Sequence, residues 1–201
     1  YARQQRDRVW HEFSPQAEAR DVTVGVMGLG VLGEDAVRKL KVMGFDVIGW
    51  SRRPKQIDGV ETFDAAGLDA FLARTDILVG LLPLTPDTRG LYSASLFARL
   101  RQGGALGKPV FINAGRGGSQ VEADIVAALE KGVLGGASLD VFEKEPLSPD
   151  SPLWDFANVV ITPHAAAASD VGALLRHVER QIERFESGEP GPHVLINALT
   201  H

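Results

Sequence analysis

The chain has 201 residues, 44% of them hydrophobic and 23% charged, which is the ordinary composition of a globular protein. Its formal net charge of -5 supplies no basic surface for nucleic acid or for an anionic membrane, so we expect neither as a partner. Cysteine is absent, which excludes disulfides, thiolate catalysis and cysteine-based zinc sites, and no metal site is predicted. No apolar stretch approaches the roughly 20 residues of a membrane span and no signal peptide is recognisable, so a cytoplasmic location is expected.

The polar N-terminal stretch predicts a helix. Residues 1–20 have Val9, Trp10 and Phe13 as their large apolar residues, and Ser14-Pro15 is expected to break the helix. A lone helix of this kind usually packs against another part of the protein. We therefore expect a helix in residues 1–20 that packs against another element.

A β-α-β unit is predicted next. Residues 22–27 form a short apolar, β-branched run, typical of a strand buried on both faces. Residues 34–43 have helical spacing, and Gly44 is expected to end that helix. Residues 45–50 form a second apolar strand, so residues 22–50 have the roughly 30-residue length of such a unit. The apolar face of the helix is expected to consist of Ala36, Val37, Leu40 and Met43.

The alternation of strands and helices continues through the chain. Further strands are predicted at residues 76–82, 109–113, 135–141 and 159–162, and helices at residues 120–131 and 169–186. This order indicates an α/β fold with a doubly wound parallel sheet of the Rossmann type. We assign residues 21–168 to this domain and residues 169–201 to a C-terminal helix and tail.

A glycine-rich segment, Gly28-x-Gly30-x-x-Gly33, lies between the first predicted strand and the helix that follows. In such a loop the first glycine permits a tight turn, the second lets a pyrophosphate approach the backbone, and the third allows close packing of helix on strand. The helix N-terminus then offers free N–H groups and a positive dipole to the phosphates. The pattern predicts a dinucleotide site, and the alternative is a glycine-rich turn that binds nothing.

The residues after the second strand bear on the choice of cofactor. An NAD site usually has Asp or Glu there, which accepts hydrogen bonds from the adenosine ribose. This chain has Ser51, Arg52 and Arg53 instead, and these side chains can donate to a 2′-phosphate or stack on adenine. We predict that NADP(H) is preferred and that NAD(H) remains possible. The alternative is a surface turn that happens to be basic.

Candidate catalytic side chains follow later strands, at the edge of a parallel sheet where ligands bind. Arg116 lies among small residues, and its planar guanidinium suits the carboxylate and carbonyl of a 2-oxo acid. His164 follows Pro163 at a strand end, where an imidazole could donate a proton near neutral pH, and Glu145 could orient it as an imidazolium. Taken singly, Arg116 would more often form a surface salt bridge, and His164 would more often be structural.

Four motifs together resemble a known family. The glycine loop is followed by Asn-Ala-Gly-Arg-Gly at residues 113–117, Asp-Val-Phe-Glu-Lys-Glu-Pro at residues 140–146 and Thr-Pro-His-Ala-Ala at residues 162–166. In this order and spacing they resemble the D-isomer-specific 2-hydroxyacid dehydrogenase family. Within it, Trp-Ser-Arg at residues 50–52 and Ser-Pro-Leu-Trp at residues 151–154 are most similar to the glyoxylate/hydroxypyruvate reductases.

The resemblance implies roles for individual residues. It implies that Arg116 binds the substrate carboxylate or carbonyl, that Glu145 orients His164, and that His164 passes a proton to the substrate oxygen. It also implies that Asp140 lies near the nicotinamide. The residues expected to contact the cofactor are Gly28, Gly30, Val31, Leu32, Gly33, Ser51, Arg52, Arg53, Leu82, Pro83, Ala114, Gly115, Asp140, His164 and Ala166.

Members of this family have a second, smaller domain that closes over the substrate, and this chain has no room for it. Residues 1–20 resemble the helix that links the two domains, and residues 169–186 resemble the helix that crosses back. We therefore expect a fragment or a naturally short homologue, which binds cofactor but turns substrate over poorly. A homodimer is also expected from the family, with Trp154 and Phe156 either in its contact or packed under a loop.

Three other interpretations remain open. Corepressors resemble this family, so a non-enzymatic dinucleotide sensor is possible, although a sensor would not need Arg116, Glu145 and His164. A methyltransferase that uses S-adenosylmethionine also has a glycine loop after its first strand, but its second strand typically ends in an acid that is absent here. The third interpretation is an α/β domain with an inactive site.

Overall fold

A computed structural model describes residues 2–12, 16–167 and 171–188 of the chain. The chain divides into two compact units between His164 and Ala165. The first unit contains a single sheet of seven parallel strands in the order β3-β2-β1-β4-β5-β6-β7. The strands are β1 (Thr23–Met27), β2 (Asp46–Trp50), β3 (Glu61–Phe63), β4 (Ile77–Gly80), β5 (Val110–Asn113), β6 (Gly136–Leu139) and β7 (Val159–Ile161).

This topology confirms the predicted α/β fold with a doubly wound parallel sheet. The strand order reverses between β1 and β4, and open α/β sheets bind ligands at the carboxyl ends of the strands beside such a reversal. All five residues of β1 are buried, because β2 and β4 flank the strand and apolar side chains cover both faces of the sheet.

Helices of different length connect the strands. In the first unit they are α1 (Ala2–Asp7), α2 (Val31–Val42), α3 (Leu68–Arg74), α4 (Ala94–Phe97) and α5 (Glu122–Glu130), with single turns of 3-10 helix at Ala19–Asp21, Ala65–Gly67, Gly117–Ser119 and Pro152–Asp155. Gly44, predicted to end α2, and Gly132, which directly follows the predicted helix of residues 120–131, have φ angles of 89° and 66°. Because this left-handed region suits glycine, both helices stop where the sequence indicates.

The start and apolar face of α2 differ from the prediction. The helix begins at Val31 rather than residue 34, because Gly30 is its N-cap and already accepts a hydrogen bond from the Glu34 amide at 2.9 Å. Val37 is buried, but Met43 is 66% exposed. Met43 is the C-cap, beyond the last full turn, so its assignment to the buried face was wrong.

The single helix predicted for residues 1–20 is also wrong. Helix α1 ends at Asp7, and Arg8 adopts a φ of 55°. The Val9 amide donates to the Gln4 carbonyl at 2.8 Å, and the Arg8 amide donates to the Gln5 carbonyl at 3.3 Å, which is the hydrogen-bond pattern of a Schellman motif. Phe13 and the predicted break at Ser14-Pro15 lie outside the described residues.

Two apolar clusters cover the sheet. The larger cluster contains Phe71, Phe97, Phe111 and Tyr92, each fully buried, and burial raises the pKa of the Tyr92 phenol well above its ordinary value. The smaller cluster joins the valines of β1 to Val37 of α2. Strand β3 and helix α3 were not predicted, because three and seven residues are too few to show a clear hydrophobic period.

The second unit contains helix α6 (Val171–Glu186), which is followed by Gly188 at a φ of 77°. Residues 168–170, where this helix was predicted to begin, lie outside the described part of the chain. Its large apolar side chains recur at helical spacing and are exposed, or nearly so, along one stripe. They are Val171, Leu174, Leu175, Val178, Ile182 and Phe185. Among the described residues, no helix is long and apolar enough to cross a membrane.

Candidate active site

The segments that carry the predicted site residues leave the carboxyl ends of neighbouring strands. The glycine loop follows β1, and residues 51–53 follow β2. Leu82 and Pro83 follow β4, and Ala114 to Arg116 follow β5. Asp140 follows β6, and His164 follows β7. In a parallel sheet these ends lie on one edge, so the first unit brings the predicted residues other than Ala166 to that edge.

The glycine loop leaves space for a ligand beside its second glycine. A Cβ at Gly28, whose φ is 112°, would lie 2.8 Å from the Leu81 carbonyl, and one at Gly33 would lie 1.9 Å from the carbonyl oxygen of Gly28. Gly28 and Gly33 are therefore required by the fold itself. A Cβ at Gly30 would meet nothing within 4 Å. Val31 and Leu32, at the start of α2, are exposed, so the first helical turn is accessible to a phosphate.

The residues that follow β2 form a basic turn with an unexpected partner. Ser51 Oγ donates to the Arg53 carbonyl at 2.6 Å, and Arg52 Nη1 lies 2.6 Å from Asp87 Oδ2. The Arg53 guanidinium has no ion-pair partner within the described residues. Asp87 belongs to the loop after β4, so an argument based on the residues after β2 could not find this carboxylate. The pair is exposed, with 64% and 68% of the two side chains accessible, and a 2′-phosphate would compete with Asp87 for Arg52.

Lys55 contacts the glycine loop and was also missed. Its Nζ donates to the Leu29 carbonyl and to Glu34 Oε1. The hydrogen bond from Lys55, together with its charge, lowers the pKa of Glu34 below its ordinary value, against a smaller opposing effect of desolvation. A glutamate in the first turn of α2 therefore stays ionised and neutralised beside the loop.

A buried amide pair holds the arginine loop. Asn113 Nδ2 donates to Gln120 Oε1 at 2.8 Å and to the Arg116 carbonyl at 3.3 Å, and Asn113 Oδ1 accepts from the Gly115 amide at 3.0 Å. Gln120 Nε2 donates in turn to the Val141 carbonyl at 3.0 Å. Asn113 and Gln120 were not predicted as site residues. The position of the polar Asn113 at the end of a buried strand could have indicated them.

The Arg116 side chain is exposed above this amide pair. Its Nη1 donates to the Gly115 carbonyl at 2.8 Å, and no carboxylate of the described residues forms a salt bridge with it. A Cβ at Gly115 would lie 2.9 Å from the Leu82 carbonyl, so the loop passes close to the backbone after β4. The Ala114 amide donates to the Gly80 carbonyl at 3.2 Å. The guanidinium therefore has donors left for an anionic ligand.

His164 and Glu145 form a hydrogen-bonded pair. His164 Nδ1 lies 2.8 Å from Glu145 Oε2, and Glu145 Oε1 accepts from the Phe142 amide at 3.1 Å. The bond with His164 is the main reason why the pKa of Glu145 is lowered, and desolvation opposes it. Because Nδ1 is held by the carboxylate, Nε2 is the nitrogen left to exchange a proton with a ligand.

The backbone at His164 is unusual and firmly held. Its φ is 51°, in the left-handed region, and its amide donates to the Asp140 carbonyl at 2.8 Å. The buried Asp140 accepts at Oδ1 from Thr162 Oγ1 at 2.5 Å, which ties β6 to the segment after β7. An uncommon φ at an exposed histidine, fixed by a neighbouring strand, is typical of a functional position.

A cavity of about 680 Å³ lies beside the pair. His164 and Glu145 line it together with Leu147 and Trp154. Trp154 is half exposed and donates from Nε1 to the Ser148 carbonyl at 2.9 Å. Phe156 is partly buried and packs against the larger apolar cluster, which is the second of the two alternatives expected for it.

A doubly wound sheet with an accessible glycine loop, and an arginine and a histidine–carboxylate pair on one edge, defines the dinucleotide-binding domain of an oxidoreductase. The model for the family described as "D-isomer specific 2-hydroxyacid dehydrogenase, NAD binding domain" matches residues 1–166. The chain belongs to this family.

Curated relatives are named as reductases. The glyoxylate/hydroxypyruvate reductase A of Photorhabdus laumondii is 40% identical over 190 residues, which are 94% of this chain and 59% of that protein. The protein of the same name from Escherichia fergusonii is 41% identical over 177 residues, 88% of this chain and 55% of that protein. The chain thus spans little more than half the length of these relatives.

Solved structures show the same fold. A probable 2-hydroxyacid dehydrogenase of Rhizobium etli, in complex with NADP, HEPES and L(+)-tartaric acid, has a TM-score of 0.91 at 68% identity over 94% of this chain and 59% of that one. An NADPH-dependent glyoxylate/hydroxypyruvate reductase of Sinorhizobium meliloti, in complex with NADP and sulfate, has a TM-score of 0.91 at 67% identity over 96% of this chain and 61% of that one.

Proposed function

We propose that this chain is the cofactor-binding part of an NADP(H)-dependent reductase of a small 2-oxo acid such as glyoxylate or hydroxypyruvate. The observation that carries the proposal is the hydrogen bond of 2.8 Å between His164 and Glu145 on the sheet edge that also carries the glycine loop and Arg116. The names of the relatives in Photorhabdus laumondii and Sinorhizobium meliloti support the substrate class. No comparison supports the alternative of a corepressor-type sensor.

The residues present fit a dinucleotide. Gly28 and Gly33 close the turn, the open space beside Gly30 admits a pyrophosphate, and the first turn of α2 supplies N–H groups. At the ends of the next strands, the residues that would hold the nicotinamide are Leu82, Pro83, Ala114, Gly115 and Asp140, and Ala166 of the second unit stays a predicted contact. The bound nicotinamide supplies the hydride for C2 of the 2-oxo acid.

The three catalytic candidates divide the remaining work. Arg116 binds the substrate carboxylate and orients the carbonyl, since its guanidinium has free donors in a planar fork. His164, as an imidazolium, donates its Nε2 proton to the oxygen that develops negative charge. Glu145 holds Nδ1 and keeps the ring aligned, because its carboxylate oxygen lies 2.8 Å from that nitrogen.

Ser51, Arg52 and Arg53 are the proposed reason for a preference for NADP(H), with NAD(H) as the weaker cofactor. Arg52 is paired with Asp87 at 2.6 Å and would hold the more highly charged 2′-phosphate in its place when the cofactor is bound. The NADP found in the relatives from Rhizobium etli and Sinorhizobium meliloti supports this choice.

Titration of the chain with NADPH and with NADH, followed by nicotinamide fluorescence, tests the proposal. We expect tighter binding of NADPH, and Arg52→Asp should weaken it by about 1.5–3 kcal/mol while leaving NADH binding little changed. Arg20→Asp, which alters an exposed arginine paired with Glu18 away from the site, is the matched control. Tighter binding of NADH would refute the NADP(H) assignment, and binding of neither would refute the cofactor site.

The organisation of the whole protein belongs to the same proposal. Residues 1–20 and 169–201 would connect the Rossmann domain, residues 21–168, to a substrate-binding domain, and the protein would act as a cytoplasmic homodimer. Light scattering of the purified protein measures its oligomeric state directly, and a monomer at micromolar concentration would exclude the dimer.

A further inference from the structure

Lys55, in the connection between β2 and β3, touches the glycine loop. Its Nζ donates to the carbonyl oxygen of Leu29 and to Oε1 of Glu34. Leu29 lies between the first two glycines of the loop, and Glu34 lies in the first turn of α2. The ammonium therefore joins the two halves of the segment that would surround a pyrophosphate.

The lysine is held at its backbone as well as at its ammonium. Thr62 Oγ1, in β3, donates to the Lys55 carbonyl at 2.5 Å. The side chains of Lys55 and Glu34 are only 35% and 27% exposed, which makes them less accessible than the surface pair of Lys39 and Asp35 on α2, at 73% and 53%. The second oxygen of Glu34 accepts from Arg38 Nη2 at 2.9 Å, so the carboxylate is fixed from both sides.

We propose that Lys55 is a positioning residue that couples the pyrophosphate-binding glycine loop to the turn that binds the 2′-phosphate. This inference rests on the proposed cofactor site. Ser51, Arg52 and Arg53 precede Lys55 on the same short connection, so the lysine side chain links that turn to the loop after β1, in addition to the backbone hydrogen bond of 2.9 Å from the Gly28 amide to the Trp50 carbonyl. Preorganised loops bind more tightly because less ordering is needed on binding.

A positioning role for Lys55 should affect the binding of both cofactors. NADPH and NADH share the pyrophosphate and differ in the 2′-phosphate. A residue that orders the glycine loop supports both, whereas Arg52 acts on NADPH alone. If Lys55 instead left Glu34 and bound the 2′-phosphate directly, its loss would weaken the binding of NADPH alone. The positioning role and the direct contact therefore predict different results.

The experiment measures the dissociation constants of NADPH and NADH for the 201-residue chain and for three variants. Lys55→Met should raise both constants by a similar factor, about three- to tenfold for an incompletely buried charged hydrogen bond. Lys55→Arg keeps a donor and a charge, and should restore both constants to within about twofold of the original chain. Lys39→Met removes the exposed pair between Lys39 and Asp35 on the same helix and should change neither constant.

Hydrogen exchange without cofactor supplies a second readout. Lys55→Met should speed exchange at the amides of residues 28–33 and also of residues 51–53, and Lys39→Met should not. A loss confined to NADPH, or a lower melting temperature with both constants unchanged, would overturn the positioning role. If the original chain bound neither cofactor, the cofactor site itself would fail, and that result is distinct from a chain that binds both but ignores Lys55.

Discussion

Backbone groups hold each of the three catalytic candidates in place. The Arg116 carbonyl accepts from Asn113 and from Ser119 Oγ, the His164 amide donates to the Asp140 carbonyl, and Glu145 Oε1 accepts from the Phe142 amide. The functional ends of Arg116 and His164 are thereby left to face a ligand. Support from packed backbone is what keeps such groups within the small tolerances that catalysis requires.

The pair between Glu145 and His164 makes stability depend on pH. Glu145 has a pKa below its ordinary value of 4.5, so its contribution is fully present above that value and is lost as the pH falls through the lowered one. We expect Glu145→Gln to reduce the free energy of unfolding at neutral pH by less than about 1 kcal/mol, since the pair is partly exposed. The difference should shrink as the pH falls from 4.5 through the lowered pKa of Glu145.

Urea unfolding of both proteins across this pH range measures the effect. Glu130→Gln changes an exposed carboxylate with no ion pair in the described part of the chain, and it should show no such trend. A Glu145→Gln difference that stayed constant down to the lowest pH would mean that the charge of Glu145 contributes nothing to the fold.

Single residues also show the limit of sequence reasoning. Arg116, Glu145 and His164 could be proposed from their types and their positions at strand ends. Asp87 and Lys55 could not, because each acts on a loop from another part of the sheet. The residues around Asp87 and Lys55 resemble those of an ordinary surface loop and do not indicate which residues they contact.

At the scale of elements, two glycines of the glycine loop have different surroundings, which relate Gly33 to folding and Gly30 to binding. Gly33 meets the Gly28 carbonyl with no room for a methyl group, whereas Gly30 faces open space at a φ of -76°. Strand β1 and helix α2 therefore need Gly33 in order to pack. Gly30 is needed where a ligand approaches the backbone.

Alanine at these two positions should give opposite results. Gly33→Ala should lower the free energy of unfolding by roughly 3 kcal/mol or more, because the backbone must move. Gly30→Ala should change it by less than about 1 kcal/mol, yet weaken NADPH binding by at least about tenfold. Thermal unfolding and cofactor titration of both variants check this. Undiminished NADPH binding by Gly30→Ala would show that no pyrophosphate lies against Gly30.

At the scale of the whole molecule, the chain spans about 59% of the length of a curated relative. The apolar stripe of α6 is exposed in the second unit, as is Trp10 in the first unit. Stripes of this kind on soluble proteins mark surfaces that contact other protein segments. We expect the substrate site to be completed by such a segment.

The chain alone should therefore bind NADPH and reduce substrate slowly. Its turnover of glyoxylate or hydroxypyruvate should fall far below the range of about 1–1000 per second that is typical of enzymes, because water is not excluded from the site. Stopped-flow and steady-state absorbance of NADPH measure this. Rates within the typical range would contradict the expectation that a closing segment is required.

The role of His164 is best tested in a protein as long as the curated relatives. There His164→Ala should abolish turnover with NADPH binding preserved, since the proposed role of His164 is to donate the proton and not to hold the pyrophosphate. Unchanged turnover would remove His164 from the mechanism, whereas NADPH binding without turnover in the unaltered full-length protein would favour the sensor.

The amino-acid sequence by itself determined the alternation of strands and helices, the glycine loop and the types of catalytic side chain. These depend on local periodicity and on backbone requirements that neighbouring residues reveal. Only the tertiary structure decided which side chains meet. The pair of Glu145 and His164 was expected from the ends of neighbouring strands, but the contact of Lys55 with Leu29, 26 residues away, and that of Arg52 with Asp87, 35 residues away, were not. Such pairs form because parallel strands with crossover connections bring distant loops to one edge of the sheet, and the loop sequences do not specify that proximity.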